Sequence, residues 1–465
     1  MARRHRLKSG LAAFLFASAW VTQALAVEIP SDSATKYTSL NDWMSKSEWR
    51  FHNRSYLMAT WNQGSLRDDA TWAEGGEMGL YTAPIRGWRM GFSGYFIFDL
   101  ASTPLGEEVG GLRNRYEIGQ YDVTDRLAYT ELERLEDLFV EKQWASTYVR
   151  LGRQTLETPF FNKQDGRMRP TTEEGLWVKK SIHGWDLQGM SIWAVSPRST
   201  IHWFDLKESI GPFGTGQDPL TGEKHDLEMT EGSPALYVAH IGSPSWKNIQ
   251  LHSWSMIWPN VFHTHRIGID HQPADRGLVW AFHLYDQRSL GNGGNPNPAK
   301  TYVLPGHHAR VYSAQTGYII QLIDGFEAIT LNGTRITGDG RYLMPREWGR
   351  DPFFTFLPRE RNEGMADVWA GTLKYTYHQK HQEWILAAGA YKLPEWADYT
   401  RNKYHTPSYG QLYLEWADAL AGYWKGVHLR AMLAYKWSTD TSLPDYVKVN
   451  TVNMLNASFI VDYHF

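Results

Sequence analysis

The sequence predicts an all-β protein: a transmembrane antiparallel β-barrel with long extracellular loops at one end and short turns at the other. Three observations lead there. The chain opens like an export leader, its alternating strands run longer than those of globular proteins, and it carries 22 Trp and 25 Tyr in 465 residues. Long strands with aromatic girdles and no apolar helix are the signature of an outer-membrane barrel.

Residues 1–26 have the grammar of a secretory signal peptide. Arg3, Arg4, Arg6 and Lys8 form a basic n-region, an apolar run follows over 11–21, and Ala24-Leu25-Ala26 offers a small-x-small cleavage site. Cleavage after Ala26 is expected, leaving 27–465 as the barrel domain. The apolar run is too short to span a bilayer as an anchor. Without the four leader cations, 43 of the 47 Lys and Arg remain against 50 Asp and Glu, a net charge of −7, so no nucleic-acid partner is expected. With no cysteine, a disulfide framework, a thiolate metal site and a cysteine nucleophile are excluded. The mean hydropathy is −0.47, and no later apolar run reaches transmembrane-helix length. A secreted sugar-binding or propeller protein also uses many aromatics and is the alternative.

The first strand is read over 49–61. Trp49, Phe51, Leu57, Ala59 and Trp61 share one face; Arg50, His52, Arg54, Tyr56 and Met58 share the other. Over 88–100, Trp88, Met90, Phe92, Phe96, Phe98 and Leu100 oppose Arg89, Ser93, Tyr95 and Asp99. At ~3.4 Å per residue such strands exceed ~35 Å, enough to cross a bilayer on a tilt. A tight Pro-Ile-Arg-Gly turn (84–87) and a long stretch (102–133) lie at their opposite ends.

The segment 147–175 opens as a strand with Thr147, Val149 and Leu151 opposite Tyr148, Arg150 and Gly152. Pro159 lacks the N–H a ladder needs. A loop is expected from there to Gly175, with Asp165-Gly166 as its turn, Arg167 and Arg169 ahead of Pro170, and Phe160, Phe161 and Met168 to anchor it.

The same alternation continues. A hairpin over 177–195 turns at His183-Gly184, and 211–233 is a polar loop. Leu278, Trp280, Phe282 and Leu284 mark a strand, and Gly, Asn and Pro fill 291–306. The stretch 339–364 sets Arg341, Arg346, Arg350, Arg359 and Arg361 among Trp348, Phe353, Phe354 and Phe356. Trp369, Leu373, Tyr375 and Tyr377 alternate with Lys374 and its neighbours. From Val427, Leu429 to Trp437 oppose His428, Arg430 and Lys436. The last strand sets Leu455, Ala457, Phe459, Val461, Tyr463 and Phe465 against Asn456, Ser458, Asp462 and His464.

The spacing of Pro159, Asp165-Gly166-Arg167 and Pro170 resembles the OprD family of substrate-specific outer-membrane porins. Arg50, Arg54 and Tyr56 in the first strand, Gly349-Arg350-Asp351-Pro352-Phe353, and the late strand 426–430 agree with it. Arg350 separates glycine from aspartate where the family has them adjacent, and His428 stands at one arginine position. Terminal Phe465 is similar to the assembly signal of outer-membrane barrels. The resemblance implies eighteen strands, inward-folded constriction loops, an outer-membrane location and passive, selective diffusion of small carboxylate-bearing solutes such as amino acids or organic and aromatic acids; sugar- or oligosaccharide-selective transport is the alternative within it. The partners it implies are small solutes, outer-membrane lipid or lipopolysaccharide and the assembly machinery, with a monomer or trimer as the unit and no cofactor.

On that reading Arg50, Arg54, Arg150, Lys374, Arg430 and Lys436 face the lumen, opposite the apolar face, where cations focus a field that concentrates anions. Asp165, Arg167, Arg169, Arg350 and Asp351 are the loop candidates, with Arg167 and Arg169 expected at the constriction. Chemistry of other kinds finds little support. His263 and His265 share a face, but no third metal ligand has a recognisable spacing. No phosphate-binding glycine loop, zinc-protease motif or nucleophile elbow occurs, so the chain is not expected to be an enzyme. A Ser–His pair on the lipid-facing rim would instead mark an outer-membrane hydrolase, and none is recognisable in the sequence.

Overall fold

The structure is a computed structural model that describes residues 37–109, 112–126 and 131–465. The expected leader and its cleavage site lie outside the described residues. Among those described, eighteen long strands form one closed sheet: β1 (Glu48–Asn62), β2 (Asp69–Tyr81), β3 (Trp88–Ser102), β4 (Glu131–Trp144), β5 (Thr147–Gln154), β6 (Thr172–Ile182), β7 (Trp185–Ser196), β8 (Leu236–Gly242), β9 (Ile249–Trp258), β10 (Phe262–His271), β11 (Arg276–Ser289), β12 (His308–Leu322), β13 (Gly325–Ile336), β14 (Val368–Gln379), β15 (Gln382–Lys392), β16 (Tyr409–Ala419), β17 (Val427–Ser438) and β18 (Met454–His464). A two-residue strand, Phe204–Asp205, adds to β7, and a small hairpin joins Glu108–Val109 to Leu112–Arg113.

Each strand pairs antiparallel with the next, and β1 pairs with β18 from His52↔His464 to Asn62↔Met454, so no edge is left open. The turn at His183 (φ 48°) and Gly184 (φ 82°) has two left-handed residues, the geometry that matches the twist of a two-residue hairpin. Its partners 145–146, 323–324 and 380–381 are equally short and lie at the same end. At the other end 103–130, 155–171, 197–235, 290–307, 337–367, 393–408 and 439–453 connect the strands. A short helix, α1 (Leu40–Ser45), caps the short-turn end, with Trp43 Nε1 donating to Ala83 O at 2.8 Å.

Alternation sorts the side chains. Outward positions leave Leu57, Met90, Phe92, Ile267, Leu278 and Leu331 between 41% and 60% exposed, the apolar belt a bilayer requires. Inward positions and the long loops make the core instead. Trp258, Phe262 and Val238 from the wall pack on Phe160, Phe161, Leu206 and Trp348 from three loops. The loop expected over 159–175 is as long as expected but lies four residues earlier: β5 ends at Gln154 and β6 starts at Thr172, pairing Gln154↔Glu173 and Gly152↔Gly175. The ladder resumes two residues after Pro170, the last position without an N–H to donate.

Candidate functional site

The site is built where the long loops fold into the barrel. Loop 155–171 turns inward because Phe160, Phe161 and Met168 are buried almost completely. Phe161 stacks on Trp348 of loop 337–367 with ring centroids 4.7 Å apart. Backbone contacts lock the two loops together. Asn162 N donates to Trp348 O (3.1 Å), and the Asn162 side chain accepts from Arg350 N (3.0 Å) and donates to Arg350 O (3.1 Å). Gly349 has φ 147°, and a Cβ there would fall 2.6 Å from the Asn162 side chain, so this approach requires glycine.

Arg54 ties the first loop to the barrel seam. Its guanidinium bonds Asp462 on β18 (2.7 and 3.1 Å), Asp165 of the loop (2.5 and 3.2 Å) and Arg167 O (2.7 Å). Two carboxylates and a carbonyl on one planar fork hold the loop at a fixed height above β1 and β18. Against the desolvation of burial, Arg54 keeps the Asp165 carboxyl below its ordinary value.

These loops, with 112–126 and 197–235, enclose a cavity of about 580 Å³. Its charge is one-sided. Arg115, Arg167, Arg198, Arg350, Arg359 and Arg361 line it, and none has a carboxylate within ion-pair distance among the described residues. Asp165 and Glu360 are the acidic lining residues, and Asp165 is already engaged by Arg54. Burial, then Arg359, pushes Arg167 down to about 10, and burial, then Arg167, Arg361 and Arg359, pushes Arg198 well below its ordinary value. Nε of Arg167 and of Arg198 and one Nη of Arg361 have no hydrogen-bond partner among the described residues. Buried donors of that kind are satisfied by water or by an anion.

The other residues singled out in the sequence distribute as follows. Arg430 lines the cavity while paired to Glu415 at 2.7 Å, and Lys436 Nζ donates to Arg359 O at 3.0 Å. Arg169 lies outside the cavity lining. It packs over Tyr95 at 3.5 Å and pairs with Glu136, with Glu77 at 3.7 Å. Arg50, near the short-turn end of β1, pairs with Glu48 at 2.6 Å and lies over Tyr81. Arg150 pairs with Glu141 at 2.6 Å against Phe139. Lys374 is on the inner face of β14 in register with Thr330 and Ala387. Asp351 is buried and accepts from Asn362 N (2.5 Å) and Glu363 N (3.1 Å), which folds its own loop. Phe465 N and O both bond Phe51 (3.1 and 3.2 Å), continuing the seam.

Sequence reasoning did not single out Arg115 and Arg198, nor Arg359 and Arg361 as site residues. The Arg113-Asn114-Arg115 doublet and the arginine density of 341–361 are the signals that could have found them. His263 and His265 face outward with centroids 4.9 Å apart, and no set of three metal-ligating residues gathers among those described. The fold does bring one serine–histidine pair together on the outer wall, which the sequence alone did not reveal: Ser255 Oγ and His265 Nδ1 are 2.7 Å apart.

No family model matches the sequence, and no curated protein matches it by sequence. Solved structures do match. OccK9 (OpdG) of Pseudomonas aeruginosa superposes with a TM-score of 0.69 at 15% identity, covering 91% of this chain and 99% of that one. OccAB2 of Acinetobacter baumannii gives 0.70 at 13%, covering 91% and 98%, and OpdK of Pseudomonas aeruginosa, solved with vanillate, gives 0.67 at 15%, covering 91% and 99%. At these identities the likeness is one of architecture, and the architecture is the OprD-family porin fold.

Proposed function

We propose that this chain is an outer-membrane porin that admits small, carboxylate-bearing solutes by passive diffusion, with the unpaired lumen arginines as the attracting element. The observation that carries this reading is the charge of the cavity: arginines without carboxylate partners among the described residues, Arg115, Arg167, Arg198, Arg350, Arg359 and Arg361 among them, face a space of about 580 Å³. Crowded cations behind a low-dielectric wall create a potential that concentrates anions, and each guanidinium offers a bidentate fork to a carboxylate. Several such groups provide successive weak sites, so a solute can enter and still leave. OpdK, with the same fold, has been solved with vanillate, an aromatic carboxylate, which supports the same solute class here.

Swelling of liposomes containing the purified protein tests this. Small carboxylates such as benzoate should enter several-fold faster than a neutral sugar of similar size. Equal rates for both would leave a porin without the anion preference.

A further inference from the structure

Outside the barrel, on the wall opposite the β1–β18 seam, the outward alternation breaks its own rule. Just below the long loops, the outward positions of β10 to β15 carry His263, His265, Arg288, His308, Arg310, Arg335 and Lys392. They stand in register. His263, Arg288 and His308 form one row across three strands, and His265, Asp286 and Arg310 form the row beneath. In the next outward row Ile267, Leu284 and Tyr312 begin the apolar belt, and the same row runs on through Tyr312↔Arg335 to Arg335, Trp369 and Lys392. On the seam side Trp61, Leu455 and Tyr435 stand in register near the long-loop ends of their strands instead.

The patch is short of anions. Asp286 alone serves Arg288 (2.8 Å), His308 (2.8 Å) and Arg310 (3.5 Å), and Asp367 is held by Arg335 (2.6 Å). Against the permanent cations Arg288, Arg310, Arg335 and Lys392 these two carboxylates leave an excess of positive charge among the described residues of the patch, which an external anion can offset. Arg288 and Arg310 keep 56% and 43% of their side chains exposed. With neighbouring strands ~4.8 Å apart, the six strands span ~24 Å, wide enough for more than one lipid headgroup.

We infer that this patch binds the phosphate groups of an anionic glycolipid in the leaflet on the long-loop side. The chemistry favours phosphate, because planar guanidiniums recognise it bidentately. The height favours a lipid, because the cations sit at the upper edge of the belt where headgroups lie. The Ser255–His265 pair lies at the edge of the patch, with Ser255 on β9 and His265 on β10, but lacks the parts of a hydrolase. Asp286, opposite His265, is engaged by three other groups, and the surrounding N–H groups belong to strand ladders and cannot form an oxyanion hole. The patch therefore binds rather than cleaves. The inference rests on the membrane reading of the barrel but not on its solute.

Native mass spectrometry of the purified protein in detergent tests it with three probes: a diglucosamine lipid phosphorylated at both ends, its dephosphorylated counterpart, and inorganic pyrophosphate. The phosphorylated lipid should be retained about tenfold more than the dephosphorylated one, and Arg288→Gln with Arg310→Gln should abolish that difference. Should that double variant fail to assemble, Asp286→Asn provides the second readout, because removing the shared carboxylate should raise retention several-fold. Equal retention of the two lipids, an unchanged preference in the arginine variant, or pyrophosphate binding as tightly as the lipid would each overturn the inference. Conductance should be the same in all variants, since the patch is outside the lumen, so failure here is separable from failure of the porin reading.

Discussion

Glu360 is the acidic group through which the cavity should respond to pH. Its carboxyl is held well above the ordinary value by burial first and by nearby Asp351 second, and Oε1 has no hydrogen-bond partner among the described residues. Below that raised value the group is neutral and the arginine charge is unopposed. As pH rises through it, a negative charge appears among the guanidiniums and anion preference falls. Anion selectivity in planar bilayers should therefore decline as pH rises above the ordinary carboxylate range, and Glu360→Gln should flatten the curve. A profile that keeps its slope in the variant would assign the titration elsewhere. Reading residue roles from sequence was hardest at this scale. Arg167 and Arg169 are two apart in one loop and look equivalent, yet an irregular backbone has no period to put them on one face. Arg167 ends against the cavity and Arg169 against Tyr95 and Glu136.

Two interlocked loops fold into the barrel, and the Phe161–Trp348 stack is their joint. Trp348→Ala should cost about 3–5 kcal/mol of packing within the barrel while leaving every strand ladder intact. Single-channel recordings should then show larger and noisier conductance with an unchanged β-sheet circular-dichroism spectrum; wild-type conductance would mean that the joint does not hold the constriction. Strands with a wet face and a greasy face were legible in the sequence, as β1, β3, β17 and β18 illustrate. β2 was harder, because Gly75, Gly76 and Gly79 interrupt its pattern. Those glycines make room for neighbours: a Cβ at Gly75 would lie 2.5 Å from the Tyr95 hydroxyl. That close approach is a tertiary fact with no local signal. The inward folding of 155–171 had one, in Phe160, Phe161 and Met168, whereas its docking partner Trp348 lay nearly two hundred residues downstream.

Closure of the whole barrel depends on a seam between the first and last strands. Phe465 extends it by two backbone bonds to Phe51 and by a ring stack at 5.3 Å. Deleting Phe465 should lower the amount of heat-modifiable barrel recovered from outer membranes several-fold, and wild-type recovery would argue against a role in assembly. The seam also carries Arg54, so the element that closes the barrel is the one that positions Asp165 and the loop behind the arginine cavity. On the proposed function, fold and selectivity share a part, and the lumen arginines without carboxylate partners should make the pore prefer anions. The reversal potential of the purified protein in a potassium chloride gradient tests that claim most directly. Wild type should be anion-selective, with a preference that shrinks as added salt shortens screening to ~3 Å at molar ionic strength. Arg167→Ala with Arg359→Ala should shift the potential toward cations, and Arg169→Ala, whose guanidinium is engaged by Glu136, should leave it in place. A wild-type pore with no anion preference, or a double variant with an unchanged reversal potential, would contradict the account.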